Sequence, residues 1–135
     1  MSARDWAKLP FDQWTDEDLL ACARWWAEEL GLSSWVVTAG FVPHYRIDGL
    51  ARCTYNCRTE SAGIQVTRWE GRDYSSPVET DLEQDVVHEL LHARFWAVDF
   101  GVGSKGCTPE DIQGNMHELA IDRTARALIR QRRRA

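Results

Sequence analysis

The sequence predicts an α+β fold: an N-terminal helix, a small three-stranded mixed sheet, and two further helices. Three observations predict it. Apolar residues recur at helical spacing over residues 15–30, 80–97 and 112–129, as they do on helices with one core-facing stripe. Between the first two helices, alternating or β-branched runs bounded by turn residues read as strands. At 135 residues the chain is long enough for one core and too short for two, so a single domain over 1–135 is expected.

Residues 1–14 read as an irregular lead-in packed down by Trp6, Phe11 and Trp14. Thr15 opens the first helix, with Asp16, Glu17 and Asp18 in the first turn, where the helix dipole favours negative charge. Its apolar positions are Leu19, Leu20, Ala23, Trp26, Ala27 and Leu30, and Gly31 suits the left-handed stop. The run over 35–41 is the first strand, weakened at its end by Pro43. Asp48-Gly49 is a hairpin signal leading into the second strand, residues 50–57. A turn over 58–63 precedes the third strand, 64–69, and 70–79 is a polar loop. Thr80 and Glu83 form a T-x-x-E capping box for the next helix, whose core stripe is Leu82, Val86, Leu90, Ala93 and Ala97. Residues 101–106 are a glycine-rich loop. Thr108, Pro109, Glu110 and Asp111 then start the last helix, with Ile112, Met116, Leu119, Ala120, Ile121, Ala125, Leu128 and Ile129 as its apolar positions.

Composition narrows the function classes. A net charge of −5 supplies no global positive field, so nucleic acid is not an expected partner. The basic end (Arg126, Arg130, Arg132, Arg133, Arg134) reads as a solvated helix terminus suited to the dipole, with no aromatic platform between the arginines. No apolar run approaches the ~20 residues of a membrane span. The first residues lack a hydrophobic signal region. A cytoplasmic protein with no membrane partner is expected. Cys22, Cys53, Cys57 and Cys107 contain no C-x-x-C pair, and free thiols are expected in a reducing compartment. Cys53 and Cys57 share one face of the second strand with Ala51 and Tyr55. Most of the seven Trp are expected in the core or a cleft wall.

The informative stretch is His88-Glu89-Leu90-Leu91-His92. Histidines four apart on a helix share a face, so both imidazoles can reach one Zn²⁺ at about 2.0–2.1 Å. Glu89 is turned roughly 100° away, where its carboxylate can reach a water on the metal. A catalytic zinc usually takes a third protein ligand. The extended pattern H-E-x-x-H-x-x-G-x-x-H fails here, because Phe95 and Val98 stand at its glycine and last histidine. The better candidate is Glu118 in Glu118-Leu119-Ala120-Ile121-Asp122. Asp122 shares its face at i, i+4 and can hydrogen-bond a ligand imidazole. Gly114, one turn earlier, permits close helix approach. His117 competes as third ligand, or as a transition-state donor.

H-E-L-L-H with a downstream E-L-A-I-D resembles the gluzincin group of zinc metallopeptidases. The order of elements is similar to the small ImmA/IrrE-type and phage-encoded zincin-like peptidases. The resemblance implies a zincin-like fold, a His₂Glu zinc site of His88, His92 and Glu118, and Asp122 orienting a histidine. It departs from the pattern at Leu91, which replaces a glycine often found before the second histidine. The strand residues 51–55 and 64–66 also resemble SprT-like zincins, which use a third histidine instead.

The expected activity is zinc-dependent hydrolysis of peptide or protein substrates, with Glu89 as general base. Candidate donors to the developing oxyanion are His117, Tyr55, Tyr74, Tyr45 and His44. A substrate strand is expected to add at an exposed sheet edge, the 64–69 strand. The rival readings are a catalytically silent zincin-fold binding or regulatory module and a DNA-associated SprT-like protease.

Overall fold

The computed structural model describes residues 5–68, 72, 74, 80–96 and 112–135, the side chains of 112–115 excepted. After two short 3₁₀ turns, the described elements are α1 (Asp16–Glu29), β1 (Val36–Pro43), β2 (Ala51–Asn56), β3 (Ser61–Arg68), α2 (Leu82–Arg94) and α3 (Ile112–Arg134). The α+β arrangement with one small mixed sheet is as expected. The readings placed on Ala97, Cys107, the 101–106 loop and the 108–111 helix start lie outside the described residues, as does the packing around Gly114.

Local chemistry explains the ends of α1. The Thr15 hydroxyl accepts from the Asp18 N–H at 3.3 Å, and the Asp18 carboxylate accepts from the Thr15 N–H at 2.8 Å. This reciprocal box satisfies two donors that a helix start otherwise leaves orphaned. At the other end Gly31 takes φ +77°. The Leu32 N–H then reaches back to the Ala27 carbonyl at 2.7 Å.

The sheet has the order β1-β3-β2. β1 runs parallel to β3, with Val36 opposite Ser61, and β2 runs antiparallel, with Asn56 opposite Ser61. Two expectations are corrected by this order. Asp48-Gly49 does not close a hairpin with the first strand, because β3 lies between β1 and β2. Residues 44–50 instead carry the chain to the far edge, through a 3₁₀ turn at His44–Arg46 and a left-handed Gly49 at φ +85°. The hairpin is β2–β3, where the Asn56 side chain accepts from the N–H groups of Arg58 and Thr59 at 2.9 and 3.3 Å. β3 consequently begins at Ser61, three residues earlier than the sequence suggested. It is also the central strand, with both ladders filled, so it offers no edge to an added strand. Among the described residues the edge strands are β1 and β2.

Ala62, Ile64 and Val66 of β3 face the core, joined by Val37 and by Leu19, Cys22, Ala23, Trp26 and Ala27 of α1. α2 is the hub. Leu82, Val86, Val87, Leu90 and Ala93 are fully buried, and burying each of the larger of these side chains contributes about 1.5–3 kcal/mol. α3 lies against α2 through Ile121, Ala125 and Ile129, spaced one turn apart. Met116 and Leu119, expected on the apolar stripe, are 65% and 49% exposed instead. Among the described residues no helix is long and apolar enough to cross a membrane. Cys22 and Cys57 are free thiols, and burial pushes the Cys22 thiol well above its ordinary range.

The start of α2 is capped differently from the sequence reading. Asp81, not Thr80, accepts from the Gln84 N–H at 3.0 Å. Thr80 is itself buried, and Glu83 has been drawn elsewhere. Its carboxylate is 1% exposed. It accepts from the Trp26 indole at 2.7 Å and from Arg132 Nε and Nη2 at 2.6 and 2.7 Å. Arg133 reaches both Glu83 and Asp81, at 3.1 and 2.9 Å. Arg132 and Arg133 are therefore partners of the buried Glu83 rather than a solvated tail, because a desolvated carboxylate needs charge-assisted donors. Arg132→Met should lower stability in urea denaturation by about 3 kcal/mol, since it strips the two-pronged donor from a buried charge. Arg133→Met, more exposed, should cost about 1 kcal/mol or less. Equal losses from the two variants would contradict this account.

Candidate metal centre

The geometry of the site follows from two antiparallel helices. On α2, Gln84, His88 and His92 stand one above the other at i, i+4 and i+8. α3 runs the opposite way, as its Arg132 contact near the start of α2 requires. A pair at i, i+4 on α3 therefore matches the spacing of the α2 stripe with its order reversed. Glu118 falls opposite His92 and His88, and Asp122 opposite His88 and Gln84.

The side chains converge accordingly. His92 Nε2 is 2.8 Å from one oxygen of Glu118, and His88 Nε2 is 3.1 Å from the other. One ligand atom from each of the three residues lies within 4.8 Å of the others. His88 Nδ1 faces Asp122 Oδ1 at 3.6 Å, and that same oxygen accepts from the Gln84 amide at 3.0 Å. The other Asp122 oxygen is 3.2 Å from Arg126. Two imidazole nitrogens and a carboxylate, each offering one ligand atom within 4.8 Å of the others, are a donor set that could hold a metal ion such as zinc. The Nδ1 contact with a carboxylate is the usual companion of a histidine that binds through Nε2.

Beside these groups lies a cleft of about 400 Å³. Leu50 and Ala51 form one wall, and Asp85, Glu89 and the converging residues form the other. Glu89 is 8% exposed. Burial pushes its carboxyl up to about 7, further than the neighbouring histidines pull it down. Burial also raises Asp85, although Arg72 sits 2.6 Å away and opposes the shift. Glu118 goes the other way: hydrogen bonds from His88 and His92 hold it well below the usual carboxylate range. Burial works against a charged His88, but the Glu118 hydrogen bond and the charges of Glu89 and Glu118 outweigh it and raise its pKa.

The other candidates sit elsewhere. His117 packs edge-on against His92, with ring centroids 5.8 Å apart, and is not one of the three converging side chains. Tyr74 donates its hydroxyl to the Thr67 carbonyl at 3.1 Å. Tyr55 is half-buried against the core. His44 and Tyr45 lie on the exposed 3₁₀ turn after β1. None of these five lines the cleft. Gln84, Asp85 and Arg72 were missed by sequence reasoning. Gln84 was within reach of it, being one more step along the His88–His92 stripe, whereas Arg72 comes from an irregular segment with no pattern to place it.

No family model matches the chain, and neither a curated protein nor a solved structure matches it.

These shifts have a measurable consequence. The Glu89 carboxyl, raised from 4.5 to about 7, binds its proton more tightly folded than unfolded. Its contribution to metal-free stability is present below pH 4.5 and is lost as the pH rises through about 7. Glu89→Gln, which cannot ionise, should therefore gain stability relative to the parent as the pH goes from 5 to 8. Urea denaturation of both metal-free proteins across that range checks this, and a pH-independent difference would contradict it.

Proposed function

We propose that the chain is a zincin-like zinc metallopeptidase that hydrolyses peptide bonds, with His88, His92 and Glu118 as the metal ligands. The observation that carries the reading is the turning of two imidazole Nε2 atoms, from one helical stripe, onto separate oxygens of one carboxylate from another helix. A zinc ion held there would polarise a carbonyl and lower the pKa of water, making a nucleophile available near neutral pH.

The chain's own residues account for the remaining needs. Glu89 lies along the cleft, off the ligand stripe, where a bound dication would favour the ionised carboxylate that a general base needs. It takes a proton from the attacking water and returns it to the leaving amine. Asp122 faces His88 Nδ1 at 3.6 Å and would orient the imidazole so that Nε2 is left for a metal ion. Of the candidate donors to the oxyanion, His117 is the one packed against a ligand. β2 supports strand addition by the substrate: it is an edge strand, and Leu50 and Ala51 at its start form the cleft wall. With Arg132 and Arg133 engaged by Glu83 and Asp81, fewer arginines are left for the nucleic-acid reading.

The test combines metal content with turnover. Zinc-loaded protein should generate new peptide termini in a mixture of denatured proteins read by mass spectrometry. Glu89→Gln should keep its zinc and lose at least about 10²-fold in rate. Glu118→Ala should lose zinc while His117→Ala retains it. A parent protein no more active than Glu89→Gln would favour a silent binding module. Zinc loss in His117→Ala alone would overturn the ligand assignment.

A further inference from the structure

We propose that Gln84 is a positioning residue of the metal centre. By donating to Asp122 it fixes the carboxylate that aims His88, and so sets the direction of the His88 Nε2. The inference rests on the reading of His88, His92 and Glu118 as a zinc site, and adds the group that preorganises it.

Four observations carry it. Gln84 stands one turn before His88 on the same stripe of α2, so its side chain and the imidazole face the same part of α3. Its Nε2 lies 3.0 Å from Asp122 Oδ1 and 3.4 Å from the Asp122 backbone carbonyl. Both neighbours are acceptors, so the amide must present its nitrogen and not its oxygen. The contacted oxygen is the one that faces His88 Nδ1 at 3.6 Å. Without that donor Asp122 would be free to rotate, and its remaining tether would be weak. That tether is Arg126, which is 66% exposed and touches the opposite oxygen. An exposed i, i+4 ion pair fixes geometry poorly, because water and salt compete for both partners. The amide is a neutral donor with a defined direction, half-buried between two helices.

An alternative is that Gln84 merely fills space at the α2–α3 contact. The two roles separate in a double-mutant cycle. Gln84→Met keeps length and bulk but removes the donor. Gln84→Glu keeps shape and places an acceptor against Asp122. Each zinc dissociation constant would be measured by competition with a chelator, in the Asp122 background and again in Asp122→Ala. Positioning through Asp122 predicts about a tenfold weaker affinity for Gln84→Met. It predicts a larger loss for Gln84→Glu, and no further loss from Gln84→Met once Asp122 is alanine. In the zinc-loaded parent the His88 Nδ1–H proton should be protected from exchange, and in Gln84→Met it should exchange faster at unchanged thermal stability. Parent-like affinity in both variants, or the same loss in both backgrounds, overturns this inference and leaves the zinc site standing. A parent protein that takes up no zinc overturns the site and this inference together.

Discussion

The buried carboxylate of Glu83 holds the three helices in register. It is supplied by α2, receives the Trp26 indole from α1, and receives Arg132 and Arg133 from α3. Removing such a group from water is costly, and only a full set of charge-assisted donors offsets the cost. The helices can therefore dock in the one arrangement that brings all of those donors to it. Glu118 lies fourteen residues before Arg132 on α3, roughly 21 Å along a stiff rod. Fixing one end of that rod fixes which turn of α3 faces His88 and His92.

The charge balance in the cleft follows from this docking. Asp85, Glu89, Glu118 and Asp122 line one space, with Arg72 and Arg126 as their cationic partners and the two histidines between. Close carboxylates with little water cannot all ionise at ordinary pKa values. The strain is uneven. Hydrogen bonds from the histidines hold Glu118 well below the usual carboxylate range, whereas burial pushes Glu89 up to about 7. A dication among them would relieve the repulsion and favour ionised Glu89.

Much of this was legible in the sequence, for a definite reason. Periodicity along a helix is a one-dimensional signal, so the H-E-x-x-H face, the Glu118–Asp122 face and the Thr15 start could be read from spacing. What could not be read depends on residues far apart in the chain. T-x-x-E at Thr80 and Glu83 has the form of a capping box, but spacing does not reveal that Arg132, forty-nine positions away, takes the glutamate. Asp48-Gly49 has the form of a hairpin, but a dipeptide does not say which strand will fill the space beside β1. The arginines looked solvated because their acidic partners belong to another helix. At the site, convergence of His88, His92 and Glu118 matched the spacing argument, and Gln84 was the neighbour that the same argument should have added.

The order of the sheet bears on how the molecule assembles. β2 and β3 join residues as close as five apart, while β1 and β3 join residues twenty-five apart. Closing the larger loop costs about 1.4 kcal/mol more in chain entropy. The β2–β3 ribbon, whose outer strand walls the cleft, is thus the pairing with the lower closure cost. The costlier contact is the one at the opposite edge of the sheet from the cleft, so fraying there leaves the cleft wall at Leu50 and Ala51 intact.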